Sequence, residues 1–203
     1  SMGGPYSLVF TGLYPREVAG LVLVDASHPD QVQRLRDAGI KIDETNPSFI
    51  LKAIAALAWS GLPRMIPALR VDSNRPIHVQ RVGNAYLATS FAAVLRELEG
   101  ANAALTTSGH FRNLGDRPLR VLTAGRALSD ETLKALKLSR ADADRLGIVW
   151  RQMHNEETAW SSRGRQIVVP DASHYIQFDR PDVVIAAVRE VVREVRQLPA
   201  TPP

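Results

Sequence analysis

Several features that would narrow the function are missing from this chain of 203 residues. It contains no cysteine, which excludes a disulfide framework, a thiolate nucleophile and a cysteine-based zinc site. No stretch reaches the roughly 18 consecutive apolar residues of a membrane-spanning helix. The most apolar stretch, Phe49–Leu62, is interrupted by Lys52. We therefore predict no membrane span, and the missing cysteines leave the compartment open.

The charge balance also lacks a strong bias. Lys and Arg number 25 against 21 Asp and Glu, so the formal net charge is only +4. Charges of both signs are interspersed, as in Leu-Arg-Glu-Leu-Glu at 95–99, which is typical of a solvated surface and not of a nucleic-acid-binding stripe. We predict no nucleic-acid partner. No cluster of metal-ligating residues stands out, so no metal and no other cofactor are predicted.

Three apolar runs have the composition of buried strands. They are Val18–Val24, Leu119–Thr123 and Gln166–Val169. Helical segments separate them, and strands that alternate with helices predict a parallel sheet with right-handed crossovers, and so the α/β class. Three parallel strands make a small sheet with exposed edges. We therefore expect polypeptide upstream of Ser1 to complete the sheet.

The stretch between the first two strands is predominantly helical. Periodicity predicts helices over Pro5–Tyr14, Asp30–Ala38, Ser48–Leu57, Pro76–Leu98, Asp142–Trp160 and from Pro181 onward. The three helices that lie between the first and second strands, from residue 30 to residue 98, are separated by Pro, Gly and Asn, as in an inserted helical domain. We accordingly predict a core segment 1–30, a helical insertion 31–116 and a second core segment 117–203.

Residues with catalytic chemistry fall next to these strands. Asp25 directly follows the first strand, and His174 lies in the loop after the third, before a helix that opens at Pro181. Sites in α/β proteins form where the strands end. The chain begins Ser1-Met2-Gly3-Gly4, which matches the second half of the G-x-S-x-G turn that exposes a serine between a strand and a helix. Gly3 occupies the downstream glycine position of that motif.

The order of these residues resembles the α/β-hydrolase superfamily, in particular its cap-bearing, serine-esterase-like members. The resemblance depends on Ser1-Met2-Gly3-Gly4, on the strand ending at Asp25, on Val-Leu-Thr-Ala-Gly125 and on Ala-Ser-His174-Tyr-Ile-Gln-Phe-Asp-Arg-Pro181. It covers essentially all of the chain and lacks the family's strands before the nucleophile turn. It implies strands six to eight of the family's sheet, with a helical cap inserted between strands six and seven.

The resemblance also implies a reaction, the cleavage of a small-molecule carboxylic ester through an acyl-enzyme. Ser1 would be the nucleophile, and His174 would serve as general base and then as general acid. The backbone N–H of Met2 would be one donor of the oxyanion hole. The second donor of this family comes from a loop before the nucleophile turn.

Two residues compete for the role of triad acid. The family usually places the acid after strand seven, where Leu128 stands and Asp130 is close by, but some members place it directly after strand six, where Asp25 stands. Ser129-Asp130-Glu131 also resembles an acidic helix start. We favour Asp25 over Asp130, and Asp30 is a weaker third choice.

Apolar residues of the helical insertion predict an apolar substrate pocket. The pocket residues would be Trp59, Met65, Tyr86 and Phe91 of the insertion, together with His28 just past the first strand. Packing of the insertion against the core is the alternative role for each of the insertion residues. The remaining histidines, His78, His110 and His154, are assigned to the surface or to local packing.

Other functions stay open. Lactonases, amidases and C–C hydrolases of the same fold are not separated by these residues, and neither is a hydrolase-like module that only binds a partner. Dehalogenases and epoxide hydrolases of this fold use an Asp nucleophile, so a serine at position 1 argues against both of these activities. A hydrolase that uses the Ser1 amine as its base would need stacked antiparallel sheets, which the alternating pattern does not predict.

Overall fold

The computed structural model describes residues 1–40, 49–66 and 76–197 of the chain. The chain divides into two compact units, one made of Ser1–Ile42 and Ala104–Pro203 and the other of Asp43–Ala103. The second unit falls inside the predicted insertion 31–116 and is shorter than it. The assignment of core and cap to these segments stays a prediction.

A sheet of three parallel strands forms the centre of the first unit. The strands are β1 (Leu21–Val24), β2 (Leu119–Ala124) and β3 (Gly164–Val169), in the spatial order β1-β2-β3. Leu21 pairs with Leu119, which pairs in turn with Gly164. Five of the six residues of β2 are buried, because a central parallel strand is covered on both faces. The predicted α/β class with a parallel sheet is confirmed.

Helices connect and flank these strands. Over the described ranges they are α1 (Gly3–Leu13), α2 (Gln31–Asp37), α3 (Phe49–Ala56), α4 (Ile77–Ala85), α5 (Leu87–Ser108), α6 (Asp130–Leu136), α7 (Arg140–Thr158), α8 (Ile176–Asp179) and α9 (Pro181–Gln197). Two short 3₁₀ turns, Ala58–Ser60 and Leu62–Met65, follow α3 in the second unit. The start of α7 is fixed by a capping box, in which the side chains of Ser139 and Asp142 each accept from the other residue's backbone N–H.

The core of the first unit lies on both faces of the sheet. Leu119 and Val121 of β2 belong to one buried cluster together with Leu8 of α1. Leu122 belongs to a second cluster, with Ile176 of α8 and Ala187 of α9. Successive side chains of a strand point to opposite faces, so β2 contributes to both clusters. The sheet is therefore packed between helical layers within this unit.

A buried arginine joins β2 to α9. Arg120 is fully buried, and its guanidinium pairs with Glu190 (2.8 Å) and with Glu194 of α9. The same group donates to the carbonyl of Arg163, directly before β3 (3.1 Å). A charged group that is buried away from solvent is stable only when it is paired and hydrogen-bonded. Moving α9 relative to the strands would break these contacts, so they keep α9 and the strands in one relative position.

The observed strands and helices differ from the predicted ones at several positions. β1 begins at Leu21 and not at Val18, because pairing with β2 starts only at Leu119. The predicted helix 76–98 is divided at Tyr86 into α4 and α5. Two helices were not predicted: α6, which starts after Ser129, and the single turn α8 within the His174 loop.

Candidate active site

Asp25 lies at the carboxyl end of β1, where the chain leaves the sheet. Its φ of 43° is left-handed, a conformation uncommon for a residue with a side chain. The Asp25 N–H still donates to the carbonyl of Leu122 (2.8 Å), so the residue closes the ladder between β1 and β2. Asp25 is almost completely buried. A buried carboxylate of this kind requires hydrogen-bond donors around it.

The first of these donors is His174. Its Nδ1 lies 2.7 Å from Oδ2 of Asp25, across a sequence separation of 149 residues. The His174 side chain is 43% exposed and lies between β3 and α8. An ionised carboxylate only accepts hydrogen bonds, so Nδ1 carries a proton, and in the neutral ring Nε2 keeps its lone pair. That lone pair can accept a proton from a reacting group.

The second carboxylate oxygen of Asp25 has two donors of its own. Oδ1 accepts from the N–H of Ala124 at the end of β2 (2.9 Å) and from Nε1–H of Trp150 in α7 (3.3 Å). Burial alone would raise the pKa of Asp25, but the hydrogen bonds from His174 and Ala124 outweigh it and lower the pKa below its usual value. The carboxylate is therefore ionised at neutral pH.

The other two candidate acids lie away from His174. Asp130 begins α6, its side chain is 84% exposed, and it pairs with Arg140. Asp30 precedes α2 and accepts two hydrogen bonds from Arg112 (2.6 and 2.8 Å). Of the three candidate acids, the structure brings Asp25 into hydrogen-bond contact with the imidazole.

Ser1 is bound through its backbone to the turn that carries Asp25. Its nitrogen donates to the Asp25 carbonyl (2.5 Å), and the Ser27 N–H donates to the Ser1 carbonyl (3.0 Å). These two bonds flank Ala26 in the pattern of a parallel ladder. Ser1 is exposed, and Met2 is the residue directly before α1. The backbone of Ser1, the predicted nucleophile, is thus hydrogen-bonded to the turn that carries Asp25, the preferred acid.

Close packing explains one of the two glycines after Met2. A Cβ on Gly4 would lie 2.5 Å from Cβ of Ala26, so only glycine lets α1 approach the turn after β1 this closely. A Cβ on Gly3 would meet no atom of the described residues within 4 Å. Close packing among the described residues therefore accounts for Gly4, and the motif position assigned to Gly3 stays a prediction.

Sequence reasoning missed two site residues, both in α7. His154 was assigned to the surface or to local packing, yet it is fully buried with Nδ1 at 3.9 Å from Oδ1 of Asp25. Trp150 was not singled out. The two residues stand four positions apart, a spacing that puts them on one face of a helix. That spacing of an indole and an imidazole was the only signal in the sequence that could have found them.

Glu157 is a further ionisable group in the same part of α7. It is 1% exposed, and burial raises its pKa well above the usual value, with the charge of Asp25 adding to the rise. Burial therefore disfavours a second negative charge near Asp25.

The predicted pocket residues fall into two groups. His28 is buried in the first unit, where its ring lies 5.4 Å from that of Trp160. The others lie in the second unit, with Trp59, Met65 and Tyr86 exposed and Phe91 half-buried. The pocket that they would form stays a prediction.

The described residues show neither a metal-binding cluster nor a membrane-spanning helix. Within the described ranges, no group of three or more His, Cys, Asp or Glu residues could hold a metal ion. None of the helices in the same ranges combines the length and apolar character needed to cross a membrane.

Comparison with known proteins leaves the family open. The chain matches no protein-family model, no curated protein and no solved structure.

We expect His28 to make stability depend on pH. Burial is the main cause that lowers its pKa from 6.5 to about 4, so between these values the unfolded chain binds a proton that the folded chain does not. The free energy of unfolding should therefore fall as the pH drops from about 6.5 to about 4, by on the order of 2–3 kcal/mol from this residue. Urea unfolding at several pH values measures the slope.

The matched variants for this test are His28→Asn and His110→Asn. The first removes the titrating group but keeps an acceptor for the Asp30 N–H that now donates to Nδ1 (3.1 Å), so its slope over this pH range should be shallower. His110 is exposed, and its replacement should leave the slope unchanged. Equal slopes in wild type and His28→Asn would show that His28 is not the group responsible.

Proposed function

We propose that this protein is a serine hydrolase of the α/β-hydrolase type that cleaves a small-molecule carboxylic ester. The single observation that carries the proposal is the hydrogen bond from Nδ1 of His174 to the buried, ionised carboxylate of Asp25. A buried acid that orients an imidazole, which in turn faces a hydroxyl nucleophile, is the arrangement of a Ser-His-Asp triad. Here Ser1 supplies the hydroxyl.

Two further observations support the proposal. The three residues come from the chain start, the end of β1 and the loop after β3, which is the order nucleophile, acid, histidine of this fold. The backbone bonds between Ser1 and the Asp25 turn hold the nucleophile at the carboxyl end of the sheet. Such sheet ends are where α/β proteins form their sites.

The proposed reaction has two halves. Oγ of Ser1 attacks the ester carbonyl carbon while Nε2 of His174 takes the hydroxyl proton, and the resulting oxyanion is bound by the Met2 N–H. His174 then gives the proton to the leaving alcohol, which leaves an acyl-enzyme. In the second half water attacks the acyl carbon, His174 takes a proton from that water, and the proton returns to Oγ of Ser1 as the acid leaves. Asp25 stabilises the imidazolium in both halves.

In this proposal the helical unit 43–103 is the cap of the hydrolase. Reaction at Ser1 needs no cofactor, because a hydroxyl and an imidazole suffice for acyl transfer.

The proposal includes polypeptide that precedes Ser1 as a strand parallel to β1. The hydrogen bonds of Ser1 around Ala26 already follow parallel ladder geometry. On its other edge, β1 pairs with no strand of the described ranges. Apolar residues of α1, among them Tyr6 and Phe10, are 45% exposed and would be covered by such a strand and its connections.

Labelling with a fluorophosphonate tests the nucleophile directly. We expect the intact protein to be labelled at Ser1 and to hydrolyse short-chain p-nitrophenyl esters, because an activated serine reacts with both probes. Ser1→Ala should abolish label and hydrolysis, whereas Ser7→Ala, at an exposed serine of α1, should change neither. A protein that takes up no label and cleaves no ester would favour a binding module.

Asparagine variants test the acid. Asp25→Asn should lower kcat by about 10⁴-fold, because an amide in place of the carboxylate stabilises the wrong imidazole tautomer. Asp130→Asn, whose side chain is exposed and paired with Arg140, should leave kcat near the wild-type value. Steady-state kinetics on p-nitrophenyl acetate measure both. A larger loss in Asp130→Asn than in Asp25→Asn would overturn the assignment.

Hydrogen exchange tests the preceding strand. The Leu21 N–H donates to the carbonyl of Pro118, directly before β2, and the Asp25 N–H donates to that of Leu122 in β2. The N–H groups of Val22 and Val24 therefore face the opposite edge of β1. In the intact protein we expect the amides of Val22 and Val24 to exchange slowly, since a paired strand protects them. Fast exchange at both, with slow exchange at Leu21 as the internal reference, would contradict a strand at this edge.

A further inference from the structure

His154 of α7 is connected to the site through two hydrogen bonds. Its Nε2 lies 2.8 Å from the carbonyl oxygen of Ala26, the residue after Asp25, and its Nδ1 lies 2.9 Å from Oγ1 of Thr123 in β2. The ring is fully buried. Both ring nitrogens are thus engaged, one with the turn that carries Asp25 and one with the neighbouring strand.

The donors and acceptors around His154 fix its tautomer. Gln166 of β3 donates through Nε2 to Oγ1 of Thr123 (2.8 Å), which leaves the threonine hydroxyl hydrogen to be donated to Nδ1. A carbonyl oxygen can only accept, so the proton of His154 is on Nε2 and is donated to Ala26. Burial lowers the pKa of His154, which agrees with a neutral ring.

Trp150, one turn earlier in α7, acts on the carboxylate itself. Its indole N–H donates to Oδ1 of Asp25 (3.3 Å), the oxygen that also accepts from Ala124. Oδ2 is the oxygen that His174 contacts. The rings of Trp150 and His154 meet edge to face, with centroids 5.5 Å apart, so each helps to hold the other's orientation.

The backbone at Asp25 needs such support. A left-handed φ on a residue other than glycine costs on the order of 1 kcal/mol and persists only where neighbouring contacts impose it. The Asp25 carbonyl is bound by Ser1, and the next carbonyl, that of Ala26, is bound by His154. The two bonds fix the peptide units on either side of Ala26. The direction of the Asp25 side chain depends on them.

We propose that His154 and Trp150 are positioning residues, which fix the Asp25 backbone and carboxylate so that Oδ2 is aimed at His174. The proposal rests on the proposed hydrolase function for its kinetic consequence, but not for its structural one. Neither residue touches the reacting atoms in this role. Each acts through Asp25, and the effect of losing either should be a misdirected carboxylate.

Replacement of His154 by Leu and by Gln separates positioning from packing. Leucine fills space without hydrogen bonds, whereas the glutamine amide can still donate to the Ala26 carbonyl. In the protein without substrate, the Nδ1 proton of His174 should give a far-downfield NMR resonance, because it is held in a short hydrogen bond to a carboxylate. We expect this resonance to be lost in His154→Leu and retained in His154→Gln.

The two His154 variants should rank in the same order by kcat as by the NMR resonance. His154→Leu should lower kcat about 10²-fold with little change in KM, since a misplaced catalytic group costs about that much, and His154→Gln should recover most of the loss. Retention of the resonance and of kcat in a folded His154→Leu protein would overturn the proposal. So would failure of His154→Gln to restore either in a protein whose thermal unfolding matches wild type.

Two milder variants keep the proposal testable if His154→Leu does not fold. Trp150→Phe removes only the indole N–H, and Thr123→Val removes the hydroxyl that fixes the tautomer; both should weaken or shift the His174 resonance. An unchanged resonance in both would count against positioning. The resonance is measured without substrate, so an inactive wild-type protein that shows the expected pattern would refute the proposed function and leave the positioning role supported.

Discussion

The hydrogen bond between Asp25 and His174 is the interaction on which the candidate site depends. It joins the end of β1 to the loop after β3, two segments that meet only because β2 lies between them in a parallel sheet. A carboxylate with so little solvent contact would be unstable as an ion without donors, and Asp25 has three, from His174, Ala124 and Trp150. Charge-assisted bonds of this kind are each worth about 1.5–3 kcal/mol. The site is therefore also part of the stable core of its unit.

Strand register decides which donors reach the carboxylate. Val24 pairs with Leu122, so the residue after Val24 comes level with the end of β2, where the Ala124 N–H points to Oδ1. A slip of one residue would invert every side chain of β1 between the two faces of the sheet and remove this bond. The buried ion pairs of Arg120 with α9 hold β2 in place, because moving β2 would leave a charge unpaired in the interior. The position of the strand that supplies the Ala124 N–H therefore depends on interactions outside the site.

Local pattern was enough to predict the strands and two polar site residues. Asp25 stands directly after an apolar run and His174 stands after another, and in a parallel sheet such positions come together at one edge. Trp150 and His154 were marked in the sequence only by their spacing of four residues, because the face that α7 presents to the sheet is set by tertiary packing and its sequence is mostly polar. The packing requirement for glycine at position 4 was likewise not visible in the sequence, because it comes from a contact with Ala26 more than twenty residues away in the chain. The break between α4 and α5 falls at Tyr86, three residues after Gly83 and two after Asn84, residue types that favour a helix end.

The electrostatics of the site follow from burial acting oppositely on acids and bases. Burial lowers the pKa of His154 and raises the pKa of Glu157, so at both groups near Asp25 it acts against the charged form. Asp25 keeps its charge because its hydrogen-bond donors outweigh the effect of burial on its pKa. At His154 and Glu157 the effect of burial on the pKa prevails. A cationic His154 would compete with His174 for the carboxylate, and an anionic Glu157 would raise the pKa of Asp25. The negative charge of Asp25 lies against His174, with Oδ2 2.7 Å from Nδ1, and a histidine that is to take a proton from a serine hydroxyl needs such an anion beside it.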